Sequence, residues 1–431
     1  MVLVLAGVLS VPGTVTAQNT AVGQASAALT LEQVYELARD RNPRLRAVTS
    51  LADAIETRES SAALLPDPSL QLGIMNFSVP GFRTDMPSSM APSVQLMQMV
   101  PFPGKLGLNG RIAEQSTAMM RAAAAEVWWA VRSQAAMAFY ELYEADRQIE
   151  VMRETLALLE DFEKVASAMY GAGEGRQSDV LRANVEVARM DAEISRMLAM
   201  RQSAAARLNG TLNRPADSEV ATPALPSLPA GVPSVDTLRA WAALNRPMLE
   251  KGRLGVEQAG TKRALARKEL WPDFAVGVQY GQRPGDMGTE RMASAMIGFS
   301  LPVFGSRRQL RMRDEAAAME QMARADLAEM QASVDARLGE LLADLERDRT
   351  LVTLYRAEVL PQAHASVESA FSSYRVGTVD FMTLVDARMT VNRYEQELHV
   401  LLADYGRAIS ELEMTVGREL RHSATTLVDD R

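Results

Sequence analysis

The chain has 431 residues, a formal net charge of −8 and no cysteine. The acidic balance argues against nucleic acid as a partner, because a phosphate backbone selects a basic face. A chain without cysteine is expected to have no disulfide, no thiolate metal site and no lipid-modified N-terminal cysteine.

The first 17 residues, MVLVLAGVLSVPGTVTA, are an apolar run ending in the small-residue pattern Val15-Thr16-Ala17, and they predict a secretory signal. No later stretch reaches 18 uninterrupted apolar residues, so the mature chain is expected to be exported, and either soluble or inserted as a β-barrel. A helix is predicted over about 30–64, with Thr30 as N-cap and Pro66-Asp67-Pro68 as its stop. Two alternating segments, 69–77 and 93–100, then bracket a Gly/Pro/Ser loop over 79–92. Leu70, Leu72 and Ile74 share one side of the first, and a period of two means strands with one apolar face. From 105 to 170 there is no proline, which predicts a helix about 100 Å long at 1.5 Å per residue. It turns at Gly171, Gly173 and Gly175 and returns over about 177–212.

The same grammar then repeats. Tyr170 and Gly173 match Tyr374 and Gly377 at an offset of 204, and the NPRL of 42–45 echoes the RPML of 246–249 at the same offset. Pro101 and Gly104 match Pro302 and Gly305, and the LPD of 65–67 matches the WPD of 271–273. In the second copy a helix is expected over 234–270 with Ser234 as N-cap. Strands follow around 273–281 and 294–301 with a loop over 282–291 between them. A long helix over about 306–376 is interrupted at Pro361, and a return helix spans 380–420. The expected organisation is a signal at 1–17, a first repeat at 18–213, a Pro-rich extended connector at 214–233, a second repeat at 234–420 and a tail at 421–431. Four strands per chain leave two open edges, which lipid does not tolerate, so several chains must pool their strands to close a barrel.

These motifs together resemble the TolC-like outer-membrane efflux proteins over essentially the whole mature chain. They are Leu65-Pro66-Asp67-Pro68, Pro101-Phe102-Pro103-Gly104-Lys105, Leu360-Pro361-Gln362-Ala363 and the two Tyr-x-x-Gly tips, with Asp179-Val180-Leu181 after the first and Leu384-Val385-Asp386-Ala387 after the second. The fold that the resemblance implies is mainly α with a small β part. It is a duplicated helix–strand–strand–helix–helix unit in a homotrimer, with a 12-stranded outer-membrane β-barrel continued by a long periplasmic α-helical barrel. It implies an exit duct in outer-membrane lipid that engages a periplasmic adaptor (a membrane fusion protein) coupled to an inner-membrane pump. The proline-rich strand end resembles the heavy-metal efflux branch, whose members are often lipidated at a cysteine that this chain lacks.

Five tip residues, Tyr170, Gly173, Asp179, Tyr374 and Gly377, are candidates for adaptor docking on that resemblance; by themselves the glycines say only that a helix reverses tightly. Asp386 aligns with a position that lines the periplasmic constriction in some relatives, where a three-fold carboxylate ring would favour cations. A solvated aspartate on a helix face is the equal alternative. Met86, Met90 and Met97 are candidate thioether ligands for soft cations such as Cu(I), with space-filling as the plainer reading. The three histidines have no ligand spacing, and no nucleophile motif or phosphate loop appears, so neither enzyme activity nor a cofactor is expected. The competing function is a secreted coiled-coil scaffold or adhesin without channel activity.

Overall fold

The structure is a computed structural model that describes residues 28–75, 91–285, 288–300, 304, 307–420 and 427. The signal segment 1–17, most of the first hairpin loop, and Met86 and Met90 lie outside the described residues. Helix α1 (Leu31–Arg41) starts at Thr30, whose hydroxyl accepts from the Gln33 amide while the Gln33 side chain accepts from the Thr30 amide. The single helix expected over 30–64 is instead two. α1 stops at Asn42 and α2 (Pro43–Ala62) restarts with proline in its first turn, because residues before proline are driven to extended backbone. The second copy does the same at Arg246, between α5 (Val235–Asn245) and α6 (Pro247–Lys268).

Strands β1 (Ser69–Met75), β2 (Ala91–Val100), β3 (Phe274–Gly285) and β4 (Gly288–Phe299) form one antiparallel sheet in sequence order. The loop expected over 282–291 is a correction: the ladder continues through Gln282↔Arg291 and Pro284↔Thr289 to Gly285↔Gly288. Cross-strand pairing outweighs the local turn signal of Gly and Pro there.

Helix α3 (Lys105–Gly171) is 67 residues long and returns as α4 (Gln177–Thr211). In the second copy α7 (Gln309–Leu354) passes through a π-helical turn at Tyr355–Val359 into α8 (Leu360–Arg375), and α9 (Phe381–Val416) returns. The interruption expected at Pro361 is therefore a widened turn just ahead of it, which accommodates a residue with no amide to donate.

The two copies correspond at their joints. The Asn42 amide side chain donates to the Thr211 carbonyl at 2.9 Å, and Arg246 donates to the Thr415 carbonyl at 3.0 Å. Each joint is thus docked on the C-terminus of its own return helix, whose last turn closes through a left-handed residue, Asn213 or Gly417. The Pro-rich connector is docked rather than free. Leu29 and Pro223 form a β-bridge, Val220 and Leu228 are buried, and Tyr405 donates to the Pro229 carbonyl at 2.7 Å.

Three apolar clusters hold the helices: one of α1, α3 and α4 around Phe139, Tyr140 and Leu208; one of α5, α7 and α9 around Leu338 and Leu412; and one at the helical tip. No helix among the described residues is long and apolar enough to cross a membrane.

Candidate functional site

Alternation along the strands and their register sort the sheet into two unlike faces. Leu70, Leu72, Val94, Leu96, Val276, Val278, Tyr280, Ile297 and Phe299 share one, and all of them are exposed. Leu72 is 75% and Ile297 71% exposed, a degree of apolar exposure that water alone does not tolerate over a contiguous patch. The opposite face carries Gln71, Gln95, Gln279 and Ser294 in one lateral row, with Gly73, Gly277, Gly281 and Gly298 nearby. Met97 lies on this polar face. A Cβ at Gly277 would touch both Met97 and Met296, which flank that glycine in the pairing.

Where strands become helices, a buried cation fastens the two copies together. Lys105, 3% exposed, donates to Asp273 at 2.8 Å and to Glu269 at 3.1 Å. Asp273 also accepts from the Phe102 amide at 2.7 Å, and the Phe102 and Trp271 rings stack at 5.4 Å. Burial works against the Lys105 charge, but the hydrogen bonds it donates to both carboxylates, with their negative charge, outweigh that and raise the ammonium above its ordinary range.

At the far end both hairpins turn by the same hydrogen bonds. Glu174 donates to the Met169 carbonyl and Gly173 to that of Tyr170, while Thr378 donates to Ser373 and Gly377 to Tyr374. Both glycines have positive φ, +79° and +71°, and a Cβ on either would meet nothing within 4 Å. The turns therefore need glycine for backbone conformation and not for space.

The matching tyrosines part company. Tyr170 is 48% exposed, whereas Tyr374 is 4% exposed and packs edge-on against Phe381 at 5.6 Å. Tyr374 is thus corrected as a docking side chain, because the second hairpin is folded against the first and its aromatic faces inward. Phe162 and Phe371 stack at 5.5 Å in the same cluster. Burial, and then the charge of the half-buried Asp179, push the Tyr374 phenol up. Asp179 is thus electrostatically coupled to the second hairpin. Asp386 is exposed on α9, with Arg182 at the corresponding place in the first copy.

Sequence reading missed the polar network behind the tip. Arg388, 4% exposed, donates to the Thr155 hydroxyl at 2.8 Å, and that hydroxyl donates to Asn392 at 3.1 Å. Glu395 lies 3.5 Å from Arg388 and 3.3 Å from His364, so the network ties α9 to α3 and α8. Desolvation depresses the Arg388 pKa and raises that of Glu395. The spacing of arginine and glutamate along α9 marks one helix face, but no local signal shows that this face is buried.

Residues 238–418 match the family described as outer membrane efflux protein. The chain is 22% identical over 404 residues to the cobalt-zinc-cadmium resistance protein CzcC of Cupriavidus metallidurans, covering 92% of this chain and 91% of that one. Its fold is similar to that of CusC, with a TM-score of 0.77 at 15% identity, over 90% of this chain and 92% of that one. It is also similar to the outer membrane protein VceC of Vibrio cholerae, with a TM-score of 0.76 at 16% identity, over 90% and 96% of the two chains. The match over the second repeat, the near full-length relationship and the shared fold agree with one another: residues 238–418 match the outer membrane efflux protein family, and the chain shares over 90% of its length the fold of CusC and VceC.

Proposed function

We propose that this chain is one protomer of a trimeric outer-membrane exit duct that passes small solutes or metal cations outward from the periplasm or from a pump. The observation that carries the reading is the four-stranded sheet with one exposed apolar face and one amide-lined face, continued by helices about 100 Å long. Such a sheet satisfies lipid only as part of a closed barrel, with the apolar face outward and the glutamines toward water. A soluble scaffold or adhesin gives no reason for that face. The relationship to a cobalt-zinc-cadmium resistance protein favours metal cations as cargo. The tips around Tyr170, Gly173 and Gly377 are the proposed contact for a periplasmic adaptor in line with a pump.

Detergent-extracted protein treated with an amine cross-linker should give a three-chain ladder, and a stable monomer that keeps its strands would defeat the reading. In planar bilayers Asp386→Ala should reduce cation preference, because three carboxylates would be lost from the proposed constriction at once. Arg182→Ala in the same assay should shift selectivity the other way. Unchanged ion selectivity in both would remove Asp386 from the constriction. Gly173→Val and Gly377→Val should leave trimers intact but abolish efflux in cells. Loss of trimers in either variant would make the turns structural and take away the docking assignment.

A further inference from the structure

Where the sheet meets the helices, the two copies differ in charge. Carried on from Pro101 with Pro302 and Gly104 with Gly305, the repeat sets Leu106, Gly107 and Gly110 of the first copy against Arg307, Arg308 and Arg311 of the second. In the first copy this place is closed by packing, since a Cβ on Gly110 would stand 3.1 Å from the Ala63 Cβ of α2. In the second copy all three arginines are exposed. The same strand-to-helix turn thus forms without guanidinium groups, and a chain of net charge −8 does not acquire three of them there from its composition. No acidic residue lies between Phe304 and Arg313, and the first to follow, Asp314, is held by Arg313 at 2.8 Å. Glu269 and Asp273, at the same end of the sheet, are taken up by Lys105. Arg267, near the end of α6, adds a fourth exposed guanidinium.

The depth of the cluster indicates what it faces. The Phe304 carbonyl accepts from the amides of both Arg307 and Arg308 at 2.9 Å, so the aromatic residue and the arginines share one tight turn. Phe304 is 73% exposed, and Trp271, just ahead of the paired strand β3, is 58% exposed. Both lie beyond the Phe274↔Phe299 pair, where the exposed apolar face of the sheet ends. Aromatic residues at the rim of an apolar band mark the headgroup level of a membrane barrel. Cations in the same turn then stand among phosphates.

We propose that Arg307, Arg308 and Arg311 form a binding surface for the headgroup of an anionic glycerophospholipid in the leaflet on the helical side of the membrane. Charge complementarity and continuity with the apolar face of the sheet support that occupant. A guanidinium offers paired donors that match phosphate oxygens, and each cation beside an anionic leaflet adds to the attraction. The inference rests on the channel reading above and adds which class of lipid the second copy selects.

Trp271 reports on this surface. The other tryptophans, Trp128, Trp129 and Trp241, belong to the region of the α5–α6 joint, where Arg246 meets Glu126 about 30 Å along α3 from Lys105. The full chain is reconstituted into mixtures of phosphatidylcholine and phosphatidylglycerol in which one or the other carries brominated acyl chains, and tryptophan quenching gives their relative affinity. The anionic lipid should be preferred roughly tenfold at about 0.05 M salt, with most of that preference lost at about 0.5 M. Arg307→Gln with Arg308→Gln and Arg311→Gln should bring the preference close to one while trimers remain, and the corresponding triple lysine variant should keep part of it. Equal quenching by the two lipids in the native protein, or an undiminished preference in the glutamine variant, overturns the surface and leaves the duct standing. Loss of the three-chain ladder in the glutamine variant also overturns it, because the arginines then hold neighbouring chains and not lipid. If neither brominated lipid quenches the native protein, the sheet is not in the bilayer, and the channel reading falls together with this surface.

Discussion

Replacing Gly417 with alanine should lower the stability of the folded chain by about 3 kcal/mol, while the same change at Gly377 should lower it by about 1 kcal/mol. Both residues end a long helix with positive φ, +69° and +71°, so the conformational penalty is shared. The difference lies in what a Cβ would meet. At Gly377 it meets nothing, whereas at Gly417 it would stand 2.6 Å from the Asn245 carbonyl oxygen and 2.7 Å from the Arg246 Cα. Those atoms are backbone at the α5–α6 joint, which is itself held by the Arg246 bond to Thr415, so they cannot swing aside as a side chain would. Denaturant unfolding in detergent, followed by helical circular dichroism, gives the comparison directly. Equal losses at the two positions would mean that the joint gives way freely and that the end of α9 is not pinned there.

Lys105→Met should destabilise by about 2 kcal/mol and loosen the sheet from the helices, and adding Asp273→Asn should recover part of that loss. The lysine is the one fully buried group of the ion cluster, while Asp273 and Glu269 keep 26% and 38% of their side-chain surface in water. Solvent therefore screens the abandoned carboxylates in part, and the loss falls below that of a fully buried broken pair. The raised Lys105 pKa gives the sign with pH. Its stabilisation is fully present below the ordinary lysine pKa and is lost only as pH rises through the higher folded value, so the variant and the native protein should differ equally at pH 6 and pH 8. A double-mutant cycle with no coupling between Lys105 and Asp273 would reduce the role of Lys105 to the burial of its stem.

Much of this architecture is written in local chemistry. Thr30, Ser234 and the prolines after them mark helix starts, because caps and proline act within one turn. The alternation of Leu70, Leu72 and Ile74 marks a strand with one apolar side, and sixty-odd residues free of proline mark α3, since both signals are periodicities of the chain itself. The repeat offset showed that the molecule is built twice, and the paired turns at Gly173 and Gly377 follow from it down to their hydrogen bonds.

Tertiary structure decided what two equivalent segments do differently. Tyr170 and Tyr374 occupy the same place in the same motif, yet one faces water and the other lies in the tip cluster, because the side of the second hairpin that carries Tyr374 packs into that cluster and the side of the first that carries Tyr170 does not. Lys105 reads as an ordinary first-turn lysine until Glu269 and Asp273, more than 160 residues away, close over it. Arg388 becomes a buried cross-link between three helices for the same kind of reason. Cap, turn and strand signals are encoded by neighbours a few residues apart and can be read along the chain. Burial of a charge, or of one tyrosine and not its twin, depends on surfaces that meet only after the long helices have folded back, and no window of sequence contains both partners.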